Sequence, residues 1–263
     1  MGERTSYTHG TFSWVENATT DQEGAKSFYS SLFGWDYDDS PVGDGIYYSM
    51  AKLGDTHVAA IAPQQADERS MGIPPHWNSY ITVDDVDGVS ARIGELGGTL
   101  HAPPFDVMDV GRMSALSDPT GAVAYLWQAK RHIGAGLVNA PGAFCWNELG
   151  TRDPDVAQQF WAGLLGWDFE RIDAGPLDMW SINNAGQQNG SLRRMGDETP
   201  PDVPPHWLVY FAVDSIDAAI ETAAGAGGAT VLPKTRAGGE NTFAILSDPA
   251  RATFGVFEGV LDD

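Results

Sequence analysis

The sequence predicts an α+β protein of two tandem domains, built from four βαβββ units. Three observations carry this prediction. A set of short motifs occurs twice in the same order. Each copy alternates strand-like and helix-like runs in the same succession. The length of 263 residues also exceeds the ~100–200 residues usual for one domain.

The repeat organises everything else. Phe12-Ser-Trp-Val-Glu16 returns as Phe144-Cys-Trp-Asn-Glu148, and the run Ala25 to Trp35 returns as Ala157 to Trp167, both 132 positions later. After a two-residue deletion the shift becomes 130. Pro74-Pro-His-Trp77 then matches Pro204-Pro-His-Trp207, Val83-Asp-Asp-Val-Asp87 matches Val213-Asp-Ser-Ile-Asp217, and Ser117-Asp-Pro119 matches Ser247-Asp-Pro249. Domains of residues 1–130 and 142–263 follow, joined by a linker at 131–141, where Gly134, Gly136 and Pro141 interrupt the strand-like runs.

Within a copy, Phe12 to Val15 is a short β-rich run. Asp21 is placed to cap a helix whose Ala25, Phe28, Tyr29, Leu32 and Phe33 fall at helical spacing until Gly34 ends it. Tyr47 to Leu53 and Thr56 to Ile61 read as a hairpin around Gly54-Asp55. The pattern then restarts with a strand at Tyr80 to Val83 and a helix at Val86 to Leu96, stopped by Gly97-Gly98. Strands at Arg112 to Leu116 and Ala122 to Trp127 flank the Asp118-Pro119 turn.

Composition narrows the function. A net charge of −21 with only 15 basic residues repels a phosphate backbone, so nucleic acid is not an expected partner. No apolar run approaches the ~18 residues of a membrane helix, and Met1 to Gly10 lacks the charged and apolar parts of a signal peptide. A cytoplasmic monomer or homodimer is expected. The single cysteine, Cys145, agrees: it permits no intramolecular disulfide and sits in an apolar run, as a small buried hydrophobe would. Phosphate-binding glycine loops and Gly-x-Ser-x-Gly are absent from the sequence, which removes nucleotide-dependent and serine-hydrolase chemistry from consideration.

The helix ending Phe28-Tyr-x-x-Leu-Phe-Gly34, the junction Val83-Asp-Asp-Val and the run Ser117-Asp-Pro-x-Gly121 recur in both copies, except that Arg251 replaces the last glycine. Carrying these motifs over nearly its whole length, the chain resembles the vicinal oxygen chelate superfamily of glyoxalases, bleomycin resistance proteins and extradiol dioxygenases. It looks most like the two-domain actinobacterial subgroup labelled hydroxylases or antigens. The resemblance implies paired βαβββ units whose sheet curls around a cavity, usually holding a divalent metal and an oxygen-rich substrate. The family's first-strand ligand position corresponds to Trp14 and Trp146, its fifth-strand position to Asn78 and Leu208, and its closing-strand glutamate to Tyr125 and Gly255. Five of these six residues lack a usual donor, and Asn78 is a poor ligand for transition metals, so neither a metal nor another cofactor is expected.

Strand alternation points Glu16 and Glu148 the same way as the lost ligands, and His76 and His206 likewise. If the first and fifth strands run antiparallel, Glu16 should meet His76 and Glu148 should meet His206. Such pairs read either as acid/base catalytic groups or as structural ties between units. Trp14, Tyr48, Trp77 and Tyr125 in the first copy, with Trp146, Trp180 and Trp207 in the second, read either as walls of a pocket for a planar ligand or as core. Arg112, a lone charge among apolar strand residues, reads as an anion contact or a surface-edge residue. The function expected is metal-free binding of a small apolar or aromatic molecule by a sequestering or carrier protein. The alternative is an enzyme of aldehyde or secondary metabolism that uses a Glu-His pair or a metal.

Overall fold

A computed structural model describes residues 2–43, 45–174, 177–197, 199–238 and 240–261. The elements of the first half are β1 (Gly2–Glu3), β2 (Phe12–Thr19), α1 (Gln22–Phe33), β3 (Asp36–Gly43), β4 (Ile46–Leu53), β5 (Thr56–Pro63), α2 (Ala66–Ser70), β6 (His76–Thr82), α3 (Val86–Arg92), β7 (Thr99–Val107), β8 (Gly111–Ser117) and β9 (Val123–Ala129). After β10 (Leu137–Val138) the second half supplies β11 (Phe144–Thr151), α4 (Pro154–Leu165), β12 (Asp168–Ala174), β13 (Leu177–Asn184), β14 (Gln187–Arg194), β15 (His206–Ala212), α5 (Ile216–Gly225), β16 (Ala229–Gly238), β17 (Asn241–Ser247) and β18 (Thr253–Glu258). No helix among the described residues is long and apolar enough to cross a membrane.

Local chemistry sets the ends of α1 and α4 as the sequence predicts, whereas α3 stops at Arg92, short of the expected Leu96. Asp21 accepts from the Gly24 amide at 3.0 Å, and Asp153 does the same for the Val156 amide at 3.3 Å. Both helices stop at glycines in the left-handed region, Gly34 at φ 73° and Gly166 at φ 75°, where a side chain would cost about 1 kcal/mol or more. Two strands escaped the sequence reading. β3 and β7 are the outermost strands of the first sheet, largely exposed and carrying Pro41, Pro103 and Pro104. Polar, proline-bearing edges protect a sheet from pairing with other chains, and that same composition hides them from a search for hydrophobic alternation.

Each half folds into one eight-stranded sheet, ordered β3-β4-β5-β2-β6-β9-β8-β7 in the first and β12-β13-β14-β11-β15-β18-β17-β16 in the second. Two βαβββ units thus stand side by side in each sheet, meeting at the antiparallel pairs β2 with β6 and β11 with β15. One face of each sheet carries the helices and packs toward the other half. The opposite face of each sheet is termed its cup.

The two halves lock together reciprocally. Trp161 Nε1 donates to Asp118 Oδ2, and Tyr29, at the matching place in the other half, donates to Asp248 Oδ2, both at 3.1 Å and both buried. Trp35 Nε1 donates to the Gly142 carbonyl and Trp167 Nε1 to the Gly10 carbonyl, both at 2.8 Å. Glycines receive the partner's rings: a Cβ on Gly98 would lie 2.6 Å from Phe160, and one on Gly228 2.7 Å from Phe28. The repeated Ser-Asp-Pro motif therefore anchors one half to the helix of the other. Both aspartates also bind their own turn, Asp118 through the Gly121 and Ala122 amides and Asp248 through the Ala252 amide.

Candidate functional site

The floor of the first cup is built by alternation on β2 and β6. Trp14 and Glu16 point to the open face, as do Asn78 and Tyr80 across from them, while Val15, Asn17, Trp77 and Ser79 turn toward the helices. The register places Glu16 opposite Asn78, and Trp14 opposite Tyr80. Asn78 Nδ2 donates to Glu16 Oε1 at 3.3 Å and the Tyr80 hydroxyl to Oε2 at 3.2 Å. The Tyr48 hydroxyl also bonds the carboxylate and accepts from Trp14 Nε1 at 3.0 Å. Tyr125 stacks on Tyr80 with centroids 4.8 Å apart and planes inclined by 21°.

Glu16 is thus a carboxylate at the base of an aromatic cup. Removal from water pushes its pKa above the usual carboxylate value, and the bonds from Tyr48, Asn78 and Tyr80, with nearby His76, oppose that shift without cancelling it. Burial and the Glu16 charge likewise hold the Tyr48 and Tyr80 phenols well above their ordinary range.

The expected meeting of Glu16 with His76 does not occur. Ala18, not Glu16, lies opposite His76, so the strands are paired two residues away from the register that contact requires. His76 Nδ1 donates to the Pro74 carbonyl at 2.8 Å, and its Nε2 lies 3.8 Å from Glu68 on α2. His206 repeats the local bond to Pro204 at 2.8 Å and sits opposite Gly150 rather than Glu148. In both copies the Pro-Pro-His-Trp motif therefore folds into a turn that launches the strand. Its tryptophans enter the helix-side core: Trp77 Nε1 donates to the Tyr29 hydroxyl at 3.0 Å, and Trp207 packs on Trp161 with centroids 5.6 Å apart. Trp161 has no oxygen to accept with, and Trp207 Nε1 is a buried donor without a partner.

Trp180 and Arg112 also lie away from the cups. Trp180 pairs with Leu192 on the helix face and lies under Arg171, 5.9 Å from its ring centroid. Arg112 grips Asp87, on the first turn of α3, through two bonds of 2.8 Å. The second copy keeps that tie by another route, with Lys234 Nζ 2.9 Å from Asp217 where Thr242 replaces the arginine.

The second cup is chemically different. Glu148 lies 8% exposed and its Oε1 accepts from Arg193 Nε at 3.1 Å. Trp146 Nε1 donates to Ser191 at 2.9 Å. Leu208 and Tyr210 pack there against Trp146, Phe243, Ile245 and Phe257. A Cβ on Gly255 would lie 2.1 Å from the Tyr210 ring, so the glycine lets that ring fold over the sheet where Tyr125 rises in the first cup. Tyr80, Tyr210 and Arg193 were missed by sequence reasoning. Each lies two residues from a named or cup-facing position, so alternation applied one step further would have found them.

Residues 11–124 match the model of the Glyoxalase/Bleomycin resistance protein/Dioxygenase superfamily, and residues 144–257 that of a glyoxalase-like domain. A protein of Mycobacterium tuberculosis named "Putative glyoxylase CFP32" is 47% identical, over 98% of both chains. The chain belongs to the glyoxalase/bleomycin resistance/dioxygenase superfamily. A more distant relative, the anthracycline biosynthesis protein DauV of Streptomyces sp. strain C5, is 31% identical over 97% of this chain and 95% of its own. Among solved structures, the 2,3-dioxygenase LapB from Pseudomonas sp. KL28 superposes with a TM-score of 0.66 at 16% identity, over 96% of this chain and 94% of its own. The Mn(II)-bound glyoxalase from Novosphingobium aromaticivorans gives 0.64 at 16% identity, over 95% and 82%. At that identity the likeness concerns the fold.

The residues at the positions that the resemblance assigns to the superfamily's divalent ion are poor donors for it. Of Trp14, Asn78 and Tyr125, Trp14 carries no oxygen, and Asn78 offers only an amide oxygen while its Nδ2 donates to Glu16. Burial pushes the Tyr125 phenol up, away from the phenolate a metal would need. Trp146, Leu208 and Gly255 offer nothing. Among the described residues no group of three His, Cys, Asp or Glu side chains converges anywhere.

Proposed function

We propose that the first cup binds a small planar aromatic molecule without a resident metal, and that the protein sequesters or carries this molecule in the cytoplasm. The carrying observation is the set Trp14, Tyr48, Tyr80 and Tyr125 around Glu16, two of which, Trp14 and Tyr125, stand at positions the resemblance assigns to ligands of the superfamily's ion. Aromatic walls and one polar group fix a flat ligand by stacking and orientation. Anthracyclines are fused-ring aromatic compounds, so the name of the DauV relative supports that class. The packed floor of the second cup supports one ligand per chain, and the small molecule, rather than nucleic acid or a membrane, is the proposed partner.

The test is a titration with acridone, a neutral tricyclic probe, read by quenching of tryptophan fluorescence in the presence and absence of EDTA. Saturable binding at one equivalent, unchanged by EDTA and weakened by Tyr125→Ala, is expected. Loss of binding in EDTA with recovery on adding Mn(II), or no saturation at all, refutes the reading.

A second reading has its own support. A carboxyl whose pKa is raised holds its proton more readily than a free one, so Glu16 alone would be the acid/base group of a lyase or isomerase. With a turned-over substrate in hand, Glu16→Gln should abolish chemistry and retain binding; full activity of that variant rules the reading out.

A further inference from the structure

The geometry points to a ligand that carries a cationic nitrogen, a protonated amine or guanidine, seated against Glu16 in the first cup. This rests on the aromatic-cup reading above and specifies its ligand class.

The two halves act as each other's control. Glu16 and Glu148 occupy the same place, Glu16 beside Ala60 and Glu148 beside Ser191 in the matching parallel strand. One pair further along, Gly150 stands beside Arg193, while in the first half Ala18 stands beside Ala62. Ala62 is therefore the structural counterpart of Arg193. In the second cup, that arginine puts a guanidinium nitrogen 3.1 Å from the carboxylate. In the first cup the same place holds a methyl group, partly exposed, and none of the ion pairs among the described residues includes Glu16. The nearest histidine, His76, faces Glu68. One cup thus supplies its own cation, and the other carries an alanine in that place.

What surrounds that place suits a cation. Tyr48, Tyr80 and Asn78 spend their donors on the carboxylate, orienting it without neutralising it. Tyr48 and Tyr125, both partly exposed, add aromatic rings, which attract cations through their quadrupoles. The net charge of −21 draws cations toward the protein and repels anionic ligands. A carboxylate in a partly dry site gains most when its counter-ion arrives with the ligand, because the pair then forms out of bulk water.

The experiment compares two probes of nearly equal shape, 9-aminoacridine, a cation at neutral pH, and acridone, which is neutral. The wild-type chain should bind 9-aminoacridine tighter than acridone by about tenfold or more. Glu16→Gln should erase that preference, lowering 9-aminoacridine affinity by more than it changes acridone affinity. Ala62→Arg, which installs the second cup's own cation, should weaken 9-aminoacridine selectively and gives an independent reading if Glu16→Gln folds poorly. The exposed surface variant Glu221→Gln should change neither. Equal binding of both probes, with Glu16→Gln and Ala62→Arg affecting them alike, overturns the cation proposal but keeps the aromatic cup. A preference that Glu221→Gln reduces as much as Glu16→Gln assigns it to general surface charge and also overturns the proposal. If neither probe binds, the aromatic-cup reading itself fails.

Discussion

Replacing Tyr29 by Phe isolates the contact that ties the first helix to the second half. The ring keeps its packing against Trp35, Trp77 and Phe254, and only the hydroxyl is lost. That hydroxyl donates to Asp248 Oδ2 at 3.1 Å and accepts from Trp77 Nε1 at 3.0 Å. Loss of a bond to a buried carboxylate costs about 1.5–3 kcal/mol, and a stranded buried indole N–H about 1–3 kcal/mol. Because the Trp207 indole is tolerated without a partner, the lower ends are the better guide, giving a total of about 2.5 kcal/mol. For a chain of this size that lowers Tm by about 5–10 °C. Urea unfolding followed by circular dichroism at neutral pH measures it directly. The Asp248 carboxyl has a raised pKa, chiefly from burial, and the Tyr29 bond lowers it. The bond therefore stabilises the ionised form, and the cost of Tyr29→Phe should shrink as pH falls through the Asp248 pKa. A loss below about 0.5 kcal/mol at neutral pH, the scale of an inconsequential surface change, would refute the assignment of this pair as an inter-half anchor.

Other consequences are equally open to measurement. Glu16 has a folded pKa raised above its unfolded value, so its ionisation opposes folding once pH climbs through that raised value. The free Glu16→Gln variant should accordingly be more stable than wild type at neutral pH, an advantage that fades toward pH 4; a pH-independent difference in urea midpoints contradicts this. Gly98→Ala, placing a methyl 2.6 Å from the Phe160 ring, should cost about 1–3 kcal/mol by overpacking, and a Tm equal to wild type counts against the close inter-half approach. Arg112→Ala removes an exposed pair with Asp87 on the helix face and should leave acridone affinity unchanged in the quenching titration; a marked loss would return Arg112 to the ligand site.

The duplication was legible because both copies keep residues that make the same tertiary bonds, such as Asp118 and Asp248 or Trp35 and Trp167. Strand faces were legible too, since alternation alone sends Trp14, Glu16 and Asn78 to one side. Register was not. β2 and β6 are separated by two helices and three strands, no tight turn fixes which residues stand opposite, and a shift of two preserves every face while exchanging every partner. That is why Glu16 was matched with His76 when Asn78 and Tyr80 are its neighbours. The faces of Trp77, Trp207 and Trp180 followed from their own strands, and nothing local distinguishes an aromatic that walls a cup from one that fills a core.

The crossed anchoring of the halves has a bearing on how the chain comes to be folded. Each half borrows from the other: Phe12 packs against Trp167 and edge-on to Trp207, while Phe211 lies against Phe33, Trp35 and Trp77. Neither would finish its interior when synthesised alone, so the first half should wait, incompletely consolidated, until the second emerges from the ribosome. The molecule is in this sense a two-subunit assembly held on one polypeptide, with the partner always present at the same stoichiometry. Such tethering frees one cup to accumulate changes that an identical pair of subunits would have to suffer in both.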